Sequence, residues 1–240
     1  MNQLKAFLTA VAHVLAPPRC MVCLTEDTWL CTTCRASFQA LPPVCVRCHQ
    51  PSLKGLTCRE CRIHTRLYGA VSAGSYHNPA IRRAIHWLKF KSVRPVAPIL
   101  AELMLEQLHT IASLTDLTNS AVFIPIPLHH RRFRQRGFNQ SADIAHALSA
   151  LTQIPTSDIL ERPQATWAQT KLPKELRAGN TRAAFRVKDS PDLVALTTKR
   201  IFILIDDVTT TGSTLASAAD ALTTILRPGS LIWGATVARG

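Results

Sequence analysis

The run Arg200-Ile-Phe-Ile-Leu-Ile205, continued by Asp206-Asp207-Val208-Thr209-Thr210-Thr211-Gly212-Ser213-Thr214-Leu215, restricts the fold more than any other stretch of the chain. Ile201 to Ile205 form an apolar, β-branched-rich run that is too short for a helix, which predicts a strand buried on both faces of a parallel sheet. Beyond the turn, Leu215, Ala218, Ala219, Leu222, Ile225 and Leu226 fall on one helical face. A strand, an acidic pair, a hydroxyl-rich turn and a helix start form one unit of an α/β fold. Ligands in such sheets bind at the carboxyl ends of the strands.

The chemistry of that end follows from its residue types. The turn offers backbone N–H groups, Thr and Ser hydroxyls and the positive end of a helix dipole, all suited to a phosphate dianion. Asp206 and Asp207 would repel that phosphate and suit hydroxyl groups or a bound Mg²⁺ instead. A ribose 5-phosphate satisfies both halves. The plainer reading is a polar strand end followed by an ordinary N-capping turn, but the full string is more specific than either half. It resembles the phosphoribosyl pyrophosphate (PRPP) motif of type I phosphoribosyltransferases, in which an apolar strand runs into an acidic pair and a Thr-Thr-Gly-x-Thr loop. The resemblance implies that Asp206 and Asp207 are the ribose-hydroxyl contacts and the candidate catalytic residues. It further implies that Val208 and Thr209 lie within the PRPP site, that Thr210, Thr211, Gly212, Ser213 and Thr214 cradle the 5-phosphate, and that Mg²⁺ arrives with PRPP. No GxxxxGK[ST] occurs, which argues against a P-loop nucleotidase.

All eight cysteines precede residue 62, as Cys20-x-x-Cys23, Cys31-x-x-Cys34, Cys45-x-x-Cys48 and Cys58-x-x-Cys61. Four regular pairs read as metal knuckles rather than a secreted disulfide framework, which implies a reducing cytosol. The segment has too little hydrophobic periodicity to fold on its own core, so metal must hold it. Eight thiols suit two structural zinc ions, and pairing neighbours gives Cys20, Cys23, Cys31 and Cys34 for one and Cys45, Cys48, Cys58 and Cys61 for the other. Cross-braced pairing and iron–sulfur ligation stay open at this level.

The net charge of +13 over 240 residues favours nucleic acid, phosphorylated ligands or anionic membrane as partners. Residues 1–66 carry eight Lys or Arg against three acids, without a concentrated basic stripe. No apolar run is long enough to cross a bilayer, and a cytoplasmic location is expected. Leu4, Phe7, Leu8, Val11 and Leu15 share one face of a short amphipathic helix that Pro17-Pro18 ends.

Between these landmarks, residues 67–76 read as a strand, and Asn78-Pro79 as a cap and first turn for a helix burying Ile81, Ala84, Ile85 and Leu88. Lys89 and Lys91 end that helix. Lys89 could neutralise a pyrophosphate leaving group, or simply favour a helix C-terminus. A helix over residues 96–108 follows, then a core strand at residues 121–124 that Pro125 and Pro127 terminate. Next comes the densest positive cluster, Arg131, Arg132, Arg134 and Arg136, interleaved with Phe133 and Phe138. It reads as a loop suited to phosphates and stacked bases, or as a solvated loop with inward phenylalanines. Asn139 caps a helix with buried face Ile144, Ala145, Leu148 and Leu151. Residues 152–200 hold four prolines and read as irregular, with a short helix near 174–178 and a strand at 184–187, and residues 230–237 read as the last strand.

Pro125-Ile-Pro-Leu-His129, Arg136-Gly-Phe-Asn-Gln140, Arg177, Asn180 and Ala184-Phe185, set between cysteine knuckles and the acidic motif, resemble the ComF/GntX family. Gln169-Thr170-Lys171 with Arg177 stands as a counterpart of a further family pattern. The resemblance implies a type I phosphoribosyltransferase-like α/β domain, a parallel sheet flanked by helices, behind a small zinc-binding module. The expected layout is a helix at 1–18, a double zinc ribbon at 19–66 and the α/β domain at 67–240. It also implies a role in natural competence, with PRPP, single-stranded DNA and DNA-uptake proteins as partners. The alternative is an active transferase that passes ribose 5-phosphate from PRPP to a nucleobase-like acceptor.

Overall fold

Continuous apolar runs, not alternating ones, occupy the centre of the sheet, and the layers on either side explain why. The computed structural model describes residues 17–163 and 184–240. The expected helix at 1–16, the Gln169-Thr170-Lys171 segment, the helix near 174–178, Arg177 and Asn180 lie outside those residues. Two short helices sit in the cysteine-rich segment, α1 (Thr32–Ala36) and α2 (Arg59–Arg62). Then come β1 (Gly69–Ser75), α3 (Pro79–Lys91), α4 (Val96–Leu108), α5 (Leu114–Ser120), β2 (Ala121–Pro125), α6 (His130–Arg136) and α7 (Gln140–Thr152). The chain closes with β3 (Leu160–Glu161), β4 (Arg186–Val187), α8 (Asp192–Leu196), β5 (Ile201–Thr209), α9 (Ser213–Leu222) and β6 (Leu231–Arg239).

Four strands form one parallel sheet in the order β1-β6-β5-β2, while β3 and β4 make a separate antiparallel ribbon. Ile203 and Ile205 face one core with Leu88, Leu100, Met104, Ile144 and Leu148, contributed by α3, α4 and α7. Phe202 and Leu204 face the other, against Leu215, Ala218 and Leu222 of α9 and Leu160 and Phe185 of the ribbon region. With both faces covered, every residue from Phe202 to Ile205 is buried, as a parallel sheet requires. The expected α/β architecture is therefore present, with two groups of four cysteines before it.

The cysteine-rich segment grips the sheet from both sides. Met21, fully buried, joins the α3/α4 core, with Trp29 edge-on to Trp87 at 6.2 Å and the Arg83 Nη1 donating to the Met21 carbonyl at 2.9 Å. Val46 joins the α9 core on the opposite face, while Leu56, packed on the same core as Met21, bridges Gly69 at the start of β1. Burial of such side chains contributes about 1.5–3 kcal/mol each, so the segment is bonded to the sheet through apolar contact as well as hydrogen bonds.

Several local expectations hold. Asn78 Oδ1 accepts from the N–H groups of Ala80 at 2.9 Å and Ile81 at 3.2 Å, and Asn139 Oδ1 accepts from Ser141 N–H at 3.2 Å. β2 ends at Pro125 as expected, with the proline itself as the last paired residue, in register with Ile205. Others change. The ladder to β6 continues through Asp206↔Thr236 and Thr209↔Arg239, so β5 carries the acidic pair inside the strand, whereas hydrophobicity alone stops at Ile205. The arginine cluster is the helix α6, not a loop; His129 caps it and Gly137 ends it at φ 78°. Leu151 is 44% exposed rather than core, and α9 ends at Leu222, short of Ile225 and Leu226. Within residues 152–200, β3 and α8 are ordered where irregular structure was expected, and the strand at 184–187 shortens to β4. Among the described residues no helix is long and apolar enough to cross a membrane.

Candidate functional site

Strand parity aims the two carboxylates. Asp207 shares the phase of Ile203 and Ile205, so it faces α3 and α7 and is 5% exposed. There Lys89 Nζ, at the end of α3, stands 2.7 Å from Asp207 Oδ1, and Gln140 Nε2, at the start of α7, donates to Asp207 Oδ2 at 2.7 Å. Gln140 in turn accepts from Arg136 Nη1 at 3.0 Å, linking the last residue of α6 to the acidic pair. Arg136 lies over the Phe90 ring at 5.0 Å, and burial lowers its pKa while the Asp207 charge opposes that. Buried charge costs free energy unless paired, and the relay from Lys89 through Asp207 and Gln140 to Arg136 supplies the pairing.

Asp206 takes a different set of partners. Its Oδ1 accepts from Ser141 Oγ at 3.0 Å and from the Asp207 N–H at 2.9 Å. Burial and then the Asp207 charge push its pKa up to about 7, against those two hydrogen bonds and the Lys89 charge. The result is a carboxyl group poised between neutral and ionised at neutral pH, which can either donate to or accept from a ligand hydroxyl.

The turn completes the strand end. Thr209 is buried, Thr210 and Thr211 are exposed, and Gly212 adopts φ 71° as the N-cap of α9, with Ser213 and Thr214 exposed in the first helical turn. Val208 is half-buried on β5. The N-terminal N–H groups of a helix lack intrahelical acceptors and favour an anion. Thus the residues from Val208 to Thr214 present hydroxyls and a helix start within one turn of the two carboxylates.

Of the four clustered arginines, the structure ties only Arg136 to this site through a hydrogen bond; Arg131, Arg132 and Arg134 lie exposed on α6. Burial first, and then the charges of His130, Arg162, Arg131 and Arg132, lower the pKa of His129. Phe133 is 48% exposed, while Phe138 packs on the core under the Arg94 guanidinium at 5.9 Å. Arg162 was not foreseen. Its half-buried guanidinium lies 5.2 Å over the Phe185 ring, and burial lowers its pKa against the pull of Asp206. Gln140 and Ser141 acquire direct roles as well. A polar pair immediately after a predicted N-cap was the one available signal, since those positions open α7 toward the strand ends.

The cysteines assemble as neighbouring pairs. Cys20, Cys23, Cys31 and Cys34 form one group and Cys45, Cys48, Cys58 and Cys61 the other, the sulfur atoms within each lying within 4.8 Å of one another. A tetrahedral four-thiolate zinc site has sulfurs about 3.8 Å apart, and the Cys23–Cys31 and Cys48–Cys58 separations are 3.5 and 3.7 Å. Electrostatics also fit a cation. In the first group Thr25 draws Cys23 down to about 6, while desolvation and neighbouring thiols drive Cys34 up to about 12. In the second, burial of Cys45 is outweighed by the N–H groups of Cys48, Cys58 and Arg47, which bring it to about 6, and Cys61 rises to about 12. Four thiols this close can all ionise only around a positive ion.

No family model matches the chain. It is 29% identical to the DNA utilization protein YhgH of Salmonella typhimurium over 215 residues, covering 86% of this chain and 91% of that protein. Identity to Competence protein F of Haemophilus influenzae is 27% over 208 residues, 85% of this chain and 89% of that protein. With Competence protein ComFC of Streptococcus pneumoniae it is 25% over 193 residues, 79% of each chain.

Proposed function

We infer that this chain, a ComF-like relative of competence and DNA-utilisation proteins, binds PRPP at the carboxyl end of β5 and acts in the uptake or use of external single-stranded DNA. The observation that carries the PRPP reading is the side-by-side placement of Asp206 and Asp207 one turn before the left-handed Gly212 that opens α9. In this reading the ribose hydroxyls meet Asp206 and Asp207, and the 5-phosphate rests on Thr210 to Thr214. Lys89 and Arg136, already drawn to the acidic pair, flank the pyrophosphate. Mg²⁺ bound with PRPP would offset the phosphate charge near the carboxylates. The two cysteine groups hold zinc, which gives residues 19–66 their fold, while residues 67–240 form the phosphoribosyltransferase-like domain behind an N-terminal segment at 1–18. The exposed Arg131, Arg132 and Arg134 on α6 are available to phosphates of a DNA strand.

PRPP with Mg²⁺ should raise the melting temperature, since a ligand at about 100 times its dissociation constant adds roughly 2.7 kcal/mol. Asp206→Asn and Asp207→Asn should each reduce the ligand-induced shift, whatever they do to the unliganded protein. No shift in the unaltered protein would sink the PRPP reading. The intact acidic pair also fits an active transferase, as in the enzymes it resembles, where charge placement assists displacement of pyrophosphate from the anomeric carbon. Pyrophosphate release with PRPP, Mg²⁺ and a panel of nucleobases would favour that reading, and PRPP binding without release would favour the accessory role.

A further inference from the structure

A cleft away from the acidic pair lies between the second cysteine group and the far side of the sheet. It encloses about 1090 Å³. One wall is Arg47, Arg62 and Arg66 from the cysteine-rich segment, and the other is Arg186 and Lys188 on and after β4. Asp189 and Asp220 are the acids of the lining, and Glu161 and Asp158 pair with Arg186 and Lys188 from outside it, so five cations stand against four carboxylates, with Arg47, Arg62 and Arg66 on the wall that carries no acid. These cations are separated by more than a hundred residues of sequence, and docking of Val46 and Leu67 on the α9 core brings them together.

We propose that this cleft is a binding groove for single-stranded DNA, a surface that rests on the DNA-handling reading above and is separate from α6; Arg47 at its edge also lines the small pocket beside Thr211, Gly212 and Ser213. Three features select the ligand. Arg47, Arg66 and Arg186 are exposed, and Arg62 is held ready by its Nε donating to the Thr57 carbonyl at 3.2 Å and by the Tyr68 ring at 5.0 Å. The Arg186–Glu161 and Lys188–Asp158 pairs are solvent-facing and exchange for phosphate at little cost. Between the cations, Ile63 at 80% exposure and Ile225 at 37% leave apolar surface in the lining. A duplex keeps its bases stacked inside and has no use for that surface, whereas a single strand turns base faces outward onto apolar and guanidinium planes. An acidic peptide would match the charge but not the apolar strip.

The test uses the full-length, zinc-replete chain and a fluorescent oligothymidylate. In Arg66→Gln/Arg186→Gln/Lys188→Gln, affinity at low salt should fall roughly tenfold or more. The slope of log affinity against log salt should flatten by up to about 2 units, at about 0.7 per lost phosphate contact. Zinc content, melting temperature and the PRPP shift should not change. Affinity and slope equal to those of the unaltered protein would overturn the proposal, decisively so if Arg131→Gln/Arg132→Gln/Arg134→Gln abolished binding instead. Competition by polyglutamate as strong as that by the oligonucleotide would overturn it in favour of an acidic protein partner. Failure of the unaltered protein to bind the oligonucleotide would remove the DNA-handling reading itself, a result distinguishable from loss of the cleft alone.

Discussion

Asp206 concentrates the electrostatics of the strand end in one carboxyl group. Its ordinary value is 3.8, and burial together with Asp207 raises it to about 7 in the fold. Between those values the native chain keeps a proton that the unfolded chain has released, so its contribution to stability is lost as pH rises through this window and levels off above about 7. Asp206→Asn removes the titration. The variant should gain on the unaltered protein from pH 4 upward and plateau above 7, by at most a few kcal/mol. Urea unfolding of both proteins between pH 5 and 8 measures the difference, and parallel curves would show that Asp206 ionises without penalty.

At the scale of the element, the turn between β5 and α9 is set by two constraints that meet at Gly212. Its φ of 71° disfavours any L side chain, and a Cβ there would come within 2.8 Å of Val46 Cγ2. Gly229 separates the two constraints, because it has φ 85° but nothing within 4 Å of an added Cβ. Gly229→Ala should therefore cost only the conformational part, about 1–2 kcal/mol. For Gly212→Ala a further 1–3 kcal/mol of overpacking is expected. Adding Val46→Ala to Gly212→Ala should recover the packing portion relative to Val46→Ala alone, read as a double-mutant cycle by chemical denaturation. Equal losses at Gly212 and Gly229 would mean that the second cysteine group does not press on the turn. The same contact couples that group to the candidate phosphate cradle.

For the whole molecule the important fact is that the cysteine-rich segment straddles the sheet. Met21 reaches the core of one face and Val46 that of the other, so neither group is a detachable appendage. Metal analysis should find two zinc ions per chain. Structural zinc is worth on the order of 10–16 kcal/mol of binding free energy in small modules, and its removal should lower the stability of the sheet as well. Calorimetry of the chelated protein should show one transition shifted to lower temperature. A metal content near zero after purification without chelator, or an unshifted sheet transition beside a melted ribbon, would contradict this arrangement.

How much could be read from the chain differs with the range of the interaction. The strand from Ile201 to Ile205, the caps Asn78 and Asn139 and the α9 start depend on contacts within a few residues, and the local sequence specifies them, whereas the neighbour pairing of the cysteines over cross-bracing was decided by the fold. Apolar content marks a strand only while its residues are apolar, so it could not foresee that pairing with β6 carries β5 on through Asp206 and Asp207. The helical state of the arginine cluster also escaped notice, because α6 has no buried residue to impose a period; capping by His129 and Gly137 defines it. Lys89, Gln140, Ser141 and Arg162 come from three separate parts of the chain, and only the packing of α3 and α7 on one face and the β3 region on the other brings them around the acidic pair. The basic cleft is more extreme. No stripe of charge marks residues 1–66, and Arg47, Arg62 and Arg66 become one wall only when Val46 and Leu67 bury themselves under the sheet opposite Arg186 and Lys188. Periodicity records which face of an element is buried, whereas the identity of the neighbour depends on register and docking, which are properties of the assembled core.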